Sequence, residues 1–390
     1  MATFSLKSVT FLLIQLWLIT NFILLPFAFI FLPFAFFFRK MLAIWEFSKM
    51  ANDNNLNRQW KELEQRIQFA SSFIITTHQN PDADGLGSEL ALYYILKKLG
   101  KEVFIFNISP TPESLKFLDL EQLCQRYVPS LHQSLLSRVD MLFVLDAGSF
   151  SRIGQLGHDA VNAKRPIIAI DHHPKENNPF YLQEIVNEKD CSVGKLMYEF
   201  IQYCYPQYMD KKIATVLYTA IAGDTGNFRF GNTTEHSHRV ASELMKYDIN
   251  VYGTYINLFG NMSRSGIRLL SSIIKTIQFS EDGKVVWFII TRKMLADNDA
   301  DDTDTEGITD FMRMIDGVEV AIMFKERLDG STRINFRSKG IVTTNVIARS
   351  FGGGGHKHAS GIVSERPLKD IYPDILNAML KQVKETCNEN

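Results

Sequence analysis

The chain has 390 residues, enough for two or three domains with ordinary cores, which excludes a disordered polymer or a staple-dependent mini-protein. Its 42 Lys and Arg against 43 Asp and Glu leave a formal net charge of −1, so no overall positive field exists to coat a long duplex. Cys124, Cys191, Cys204 and Cys387 are scattered without a Cys-x-x-Cys pair, which argues against a structural zinc site and a disulfide framework and for a reducing compartment.

Residues 1–49 stand apart. No charge falls between Lys7 and Arg39, and residues 9–38 are almost wholly apolar, long enough as a helix to cross a bilayer. The segment reads in two ways. It is either a membrane anchor, with Arg39, Lys40 and Lys49 favouring a cytoplasmic body, or translated upstream DNA ahead of a true start at Met41 or Met50. The second reading draws on a bias in which ten of the 29 phenylalanines precede residue 41. A cleaved signal peptide fits badly, because the apolar run is too long and no small-x-small site follows it.

After a polar lead, Trp60, Leu63, Ile67 and Phe69 carry helical spacing. Residues 73–77 read as a short buried strand that breaks at His78-Gln79-Asn80-Pro81, and Gly87-Ser88 opens a helix through Leu90, Tyr93, Ile95 and Leu96. The alternation continues with a strand at 103–106, a helix near 112–120, an apolar run at 141–145 ending in Asp146, and another at 167–170 ending in Asp171. Such runs predict an α/β fold with a parallel sheet flanked by helices, whose ligands gather at the carboxyl ends of the strands. Residues 233–275 are helical in pattern. A hairpin at 276–291, turned at Glu281-Asp282-Gly283-Lys284, then begins a second, smaller mixed α/β domain. In it follow an acidic loop at 297–306, read as solvated surface, strands at 318–325 and 333–337, a helix at 345–351 and the glycine run Gly352 to Gly355. The division is therefore 1–49, 58–250, a helical linker at 251–275, and 276–386.

His78-x-x-x-Asp82-x-Asp84 places three hard metal ligands on one loop after a strand. Alone, Asp82 or Asp84 could equally cap the next helix. Acids recur, however: Asp146 and Asp171-His172-His173 close apolar runs, and Asp224 follows the apolar stretch 216–222. Two His and four Asp suit two divalent cations roughly 3.5–4 Å apart with one bridging carboxylate, an arrangement fit for phosphoester hydrolysis. Oxygen and imidazole ligands without thiolate point to Mn²⁺, with Mg²⁺ or Co²⁺ as alternatives. Gly353, Gly354 and Gly355, with His356 beside them, offer backbone amides for an anion nest, and Asn335, Arg337 and Ser338 end a strand where a guanidinium can grip a terminal phosphate. His236 and His238 either begin the connecting helix or touch substrate near Asp224.

The four ordered segments, His78-Gln-Asn-Pro-Asp-Ala-Asp-Gly-Leu-Gly-Ser, Asp146, Asp171-His172-His173 and Asp224-Thr-Gly, resemble the motifs of the DHH phosphoesterases. Gly352-Gly-Gly-Gly-His356 with Ala359-Ser360-Gly361 resembles the DHH-associated C-terminal domain. The likeness spans roughly residues 60–385. It implies that His78, Asp82, Asp84, Asp146, His172 and Asp224 hold two Mn²⁺ ions with Asp146 bridging. It implies further that Asp171 orients the His pair and that His173 faces the phosphate or the attacking water. Length favours the smaller NrnA-type members, bifunctional oligoribonucleases and PAP phosphatases. They take very short single-stranded RNA to 5′-mononucleotides and remove the 3′-phosphate of 3′-phosphoadenosine 5′-phosphate (PAP). A cyclic- or linear-dinucleotide phosphodiesterase and a non-catalytic nucleotide sensor are the rival readings. Nothing in this layout needs a long duplex, and a homodimer is compatible with it.

Overall fold

The computed structural model describes residues 55–175 and 178–388, so the apolar segment 9–38 lies outside the described residues. Among the described residues no helix is long and apolar enough to cross a membrane. Residues 55–69 form a helix, α1, that belongs to a separate unit ending at Phe69. Trp60, Leu63 and Ile67 are buried as their spacing predicts, whereas Phe69, one position past the last turn of that stripe, is 91% exposed.

From Ala70 onward the first sheet consists of β1 (Ser72–Thr76), β2 (Glu102–Asn107), β3 (Cys124–Arg126), β4 (Met141–Leu145), β5 (Ile167–Asp171) and β6 (Gln183–Val186). Every pairing is parallel, in the order β3-β2-β1-β4-β5-β6. The fully buried Phe73, Ile74, Phe143 and Ile168 explain why these strands read as unbroken apolar runs. The order reverses between β1 and β4, so the carboxyl ends of these two strands flank the crevice in which ligands of such sheets bind.

Helices α2 (Ala83–Lys98), α3 (Pro129–Leu136), α4 (Gly154–Asn162), α5 (Val193–Cys204) and α6 (Lys211–Asp224) complete this layer. The α2 helix starts at Ala83, four residues before Gly87, because the Asp82 carboxylate caps it by accepting from the Asp84 and Gly85 amides. Gly87 serves packing instead. A Cβ there would stand 2.5 Å from the Val216 carbonyl, and one at Gly223 would stand 2.6 Å from the Ala83 Cβ, so glycine lets α2 and α6 approach closely. Residues 113–115 form only a 3₁₀ turn where a helix over 112–120 was expected.

The connecting segment contains α7 (Glu235–Met245), α8 (Val251–Tyr255), a π-helical turn (Ile256–Gly260) and α9 (Arg264–Ile274). The second sheet has β7 (Gln278–Phe279), β8 (Val285–Ile290), β9 (Val320–Glu326), β10 (Thr332–Ser338), β11 (Gly354–His356) and β12 (Ala359–Ser364), ordered β11-β12-β10-β9-β8-β7. Only β8 and β9 are parallel. Short helices α10 (Arg292–Asp297) and α11 (Ile308–Arg313) precede β9. The helices α12 (Thr344–Ser350) and α13 (Leu368–Asn388) supply Ala348, Ile371 and Ile375 to a core with Ile322, Phe324, Ile334, Phe336 and Ile362 from one face. Truncating Phe336 in that core would cost about 3–5 kcal/mol. On the opposite face α9 and α11 pack Leu269, Ile273, Ile308 and Met312 against Val286, Phe288, Ala321 and Met323.

Candidate metal centre and substrate surface

The loop after β1 carries His78, Asp82 and Asp84, β4 ends at Asp146, and β5 ends in Asp171-His172-His173. The sixth acid comes from a different kind of element: Asp224 closes a helix, α6, which takes in the apolar stretch 216–222. Close packing of α6 on α2 brings Asp224 to the crevice all the same. Asp146 holds a left-handed backbone, φ 55°, which turns its carboxylate from the strand into the centre.

The side chains form two groups that meet at Asp146. His78 Nε2 lies 3.4 Å from Asp82 Oδ2 and 3.8 Å from Asp146 Oδ2. His172 Nε2 lies 3.6 Å from Asp146 Oδ1 and 3.8 Å from Asp224 Oδ2, with Asp84 completing that group. Each imidazole is oriented from behind, as His78 Nδ1 faces the Gln79 carbonyl at 2.7 Å and His172 Nδ1 the Asp190 carbonyl at 3.2 Å.

These residues fit divalent cations. Asp146 Oδ1 is buried without a hydrogen-bond partner. Burial pushes the Asp146 carboxyl well above the ordinary range, with the Asp84, Asp82, Asp171 and Asp224 carboxylates adding to the effect. Burial and Asp224 do the same to Asp84, and burial followed by Asp82 pushes Asp224 up to about 8. For Asp82 lost hydration works in the raising direction, but the His78 imidazole, the Gly85 amide and Arg152 outweigh it and hold the carboxyl low. Carboxylates so crowded ionise together only beside compensating positive charge, which divalent cations would supply.

Asp171 lies within ligand distance of Asp146 and His173, but both of its oxygens already accept from neighbours. Its Oδ1 accepts from the amides of His172 and His173 and faces His173 Nδ1 at 2.7 Å, while Oδ2 accepts from Gly148. Lost hydration opposes ionisation, yet the His173 contacts and the Gly148 amide keep this carboxyl below its usual range.

From the second domain His356 reaches the same place, its ring stacked on His173 with centroids 4.6 Å apart and 5.4 Å from His172. Lost hydration and then the two neighbouring imidazoles push His356 down to about 4, so it is neutral at pH 7. Arg337 faces the same way but is held, Nε donating to Asp310 Oδ2 at 3.1 Å and Nη1 to the Phe336 carbonyl. Asn335 shares its face.

Two expectations need correction. Ser338 is buried on the opposite face of β10, donating to the Val342 carbonyl and contacting His358 Nδ1, so it does not line the surface with Arg337. Consecutive strand residues point to opposite faces. The glycine run is also not an open nest: the Gly352 and Gly353 amides donate to the Arg349 and Ala348 carbonyls, closing α12, and Gly354 to His356 pair with β12. Gly353 is thereby a packing position, with the Gly361 carbonyl 2.2 Å from any Cβ it would carry, while Gly354 and Gly355 lead to His356. His236 and His238 both sit on α7, His236 3.7 Å from Glu199 and His238 stacked on Phe228.

Several supporting residues carry no local signature. Asn232 Nδ2 donates to Asp224 Oδ2 and to the carbonyls of Asp224 and Cys191. The Val193 and Gly194 amides donate to Asp84. Buried Lys195 pairs with Asp190 and Glu199, fixing the segment whose Asp190 carbonyl meets His172. Arg152 ties the loop after β1 to the loop after β4, with its carbonyl accepting from Gln79 and Nη1 donating to the Ala147 carbonyl. All of them act through backbone groups or neighbours that no local motif reveals.

Residues 72–221 match the DHH family, N-terminal domain, and residues 282–389 match the DHHA1 domain. With the site described above, the matches define a two-domain hydrolase of the DHH phosphoesterase class that works with divalent metals. The chain is 30% identical over 310 residues to the bifunctional oligoribonuclease and PAP phosphatase NrnA of Thermus thermophilus, covering 79% of this chain and 89% of that protein. It is 29% identical over 333 residues to the NrnA of Bacillus subtilis, covering 84% and 99%. The chain belongs to the DHH family, in the branch that holds the NrnA proteins. Its fold is also that of an exopolyphosphatase-related protein from Bacteroides fragilis, with a TM-score of 0.78 at 23% identity over 84% of this chain and 96% of that one.

Proposed function

We propose that the protein is a Mn²⁺-dependent phosphoesterase that degrades very short RNA to 5′-mononucleotides and removes the 3′-phosphate of 3′-phosphoadenosine 5′-phosphate in the cytoplasm. The observation that carries the reading is the meeting of two His/Asp groups at Asp146, next to His173, on which His356 of the second domain stacks. The names of the Thermus and Bacillus relatives support the substrate pair, and the free Cys124, Cys191 and Cys204 suit a reducing compartment. In functional terms the chain divides into 58–250, a linker at 251–275, and 276–386.

His78, Asp82 and Asp146 would hold one ion, and Asp84, His172 and Asp224 the other, with Asp146 shared. When bound, the ions supply an activated water near neutral pH and offset the charge that gathers on the phosphoryl oxygens. His173, fixed by Asp171, faces the phosphate. Neutral His356 offers it a hydrogen bond, and Arg337 presents its remaining Nη2 edge to a terminal phosphate while Asp310 holds the guanidinium in place. A site bordered by the second domain through His356 can hold a few nucleotides without the basic stripe that a long polymer needs.

The test is Mn²⁺-dependent release of mononucleotide from RNA of two to five nucleotides, run beside PAP, a cyclic dinucleotide and an Asp146→Ala control. Turnover of short RNA and PAP that vanishes in the control is expected. Cleavage of the cyclic dinucleotide alone would replace this reading with a signalling phosphodiesterase, and silence on all three with intact metal binding would replace it with a sensor.

A further inference from the structure

The face of the second sheet that carries Arg337 continues past it. Across β11, β12, β10 and β9 the register aligns His356, Ala359, Arg337 and Ala321 in one row, and Gly354, Gly361, Asn335 and Met323 in the next on that face. The third row is Val363, Arg333 and Lys325. Directly paired residues share a face, and rows two residues apart are about 6.7 Å apart, so Arg333 stands about 13 Å along the strand from Arg337. That is farther than the two phosphates of one nucleotide can span. The middle row is bare at its β11 end, where a Cβ at Gly354 would meet nothing within 4 Å and the backbone φ is not positive, whereas at the β9 end Met323 is buried under α9 and α11.

Arg333 is exposed and not in an ion pair among the described residues. Its Nε donates to Asn335 Oδ1 at 3.2 Å, which leaves both terminal nitrogens of the guanidinium and the Asn335 Nδ2 without a protein partner on this open face. Val363 beside it is 60% exposed, an apolar surface on which a base can rest. Beyond the third row the charge changes sign. The segment 297–306 holds six acids and no Lys or Arg, and it is tied to that row because fully buried Lys325 donates to Asp302 Oδ1 at 3.0 Å and to Thr305 Oγ1 at 3.1 Å. Glu306 lies within electrostatic reach of Arg333.

We propose that Arg333 and Asn335 bind a second phosphate of an oligonucleotide and that the acidic segment 297–306 repels a further one, so that this sheet face measures substrate length. The inference rests on the proposed RNA reading. A nucleotide with two phosphates occupies the rows nearest the metal centre, an RNA of three to five nucleotides gains Arg333, and a longer polyanion meets Glu306 and the acids of the segment other than Asp302, which Lys325 pairs. An exposed guanidinium on a phosphate contributes modestly and is screened by salt.

The experiment compares kcat/KM for a five-nucleotide RNA with that for PAP in the full chain. Arg333→Ala should lower the ratio of pentamer to PAP about fivefold to tenfold. It should also flatten the dependence of log kcat/KM for the pentamer on log salt by about 0.7, the loss of one phosphate contact on a single strand. Glu306→Gln should raise the ratio for RNA of eight to ten nucleotides over the pentamer at least twofold. A pentamer-to-PAP ratio within twofold of wild type in Arg333→Ala overturns the second phosphate site, and an unchanged length preference in Glu306→Gln overturns the acidic stop. Wild-type protein inert on both substrates would instead overturn the RNA and PAP reading itself.

Discussion

Asn232 offers the sharpest test of how the metal centre is held. Its Nδ2 donates to Asp224 Oδ2 at 3.1 Å, to the Asp224 carbonyl at 3.1 Å and to the Cys191 carbonyl at 3.0 Å, so one amide fixes the end of α6 against the segment that positions Asp84. A hydrogen bond to a charged acceptor contributes about 1.5–3 kcal/mol. The Asn232 Oδ1 atom is buried without a partner, so Asn232→Ala also relieves one unsatisfied acceptor and the net loss falls to about 2 kcal/mol. If that loss bears on the placement of Asp224, cation affinity falls about 30-fold, within the range known for residues that orient metal ligands. Activity titrated with Mn²⁺ should show the half-saturating concentration rising by that factor, while kcat at saturating Mn²⁺ recovers to within a few-fold of wild type. A half-saturating concentration within twofold of wild type would refute the reasoning, because the amide would then be a packing group with no bearing on the ligand.

Gly354→Ala should fold with wild-type thermal stability, since its Cβ meets nothing and its backbone φ is not positive, yet raise KM for both PAP and short RNA; a lowered melting temperature with unchanged KM would count against the bare middle row as substrate floor. Buried Glu89, whose Oε2 accepts from Asn107 Nδ2, has its carboxyl pushed up to about 8 by burial. A folded-state value above the unfolded one means that protonated Glu89 stabilises at low pH and that this contribution, at most about 4–5 kcal/mol, is lost as pH rises from about 4.5 to about 8. Denaturant unfolding of Glu89→Gln should therefore lack that decline, and parallel pH profiles for variant and wild type would contradict the assignment.

The legible part of this protein was the part whose chemistry lies on strand ends. His78, Asp146 and Asp171 each follow a run of apolar residues buried on both faces, and that contrast is visible without a structure. Asp224 is legible as a candidate ligand but its element is not, because an apolar stretch of seven residues buried in a helix carries the same text as a buried strand. Gly87 misled for a related reason: a glycine that permits close helix packing looks like one that starts a helix. The edge strand β3, three residues and mostly exposed, carries no hydrophobic signal at all. Ser338 was misplaced through neglect of a rule the sequence does contain, since with Asn335 and Arg337 on one face of β10 the next residue must point away. Asn232, Asp190 and Arg152 were invisible in principle, because each acts on a residue brought near only by the fold.

Asp171 separates orientation from metal binding. Its carboxylate meets His173 through both the amide and Nδ1 and binds the Gly148 amide with its other oxygen, an arrangement that fixes Nδ1 as the protonated nitrogen and leaves Nε2 free for the phosphate role proposed above. Asn in its place keeps the volume but presents a carbonyl oxygen on one side only. If that oxygen serves His173, the amide nitrogen confronts the Gly148 N–H, and if it serves Gly148, a donor confronts His173 Nδ1 and selects the other tautomer. Either outcome loosens His173 while leaving the six proposed ligands in place. Asp171→Asn should therefore lower kcat at least tenfold at saturating Mn²⁺ with a half-saturating metal concentration within about threefold of wild type. A loss that extra Mn²⁺ restores would instead make Asp171 a support for the ligands themselves, and an unaffected kcat would remove His173 from the phosphate.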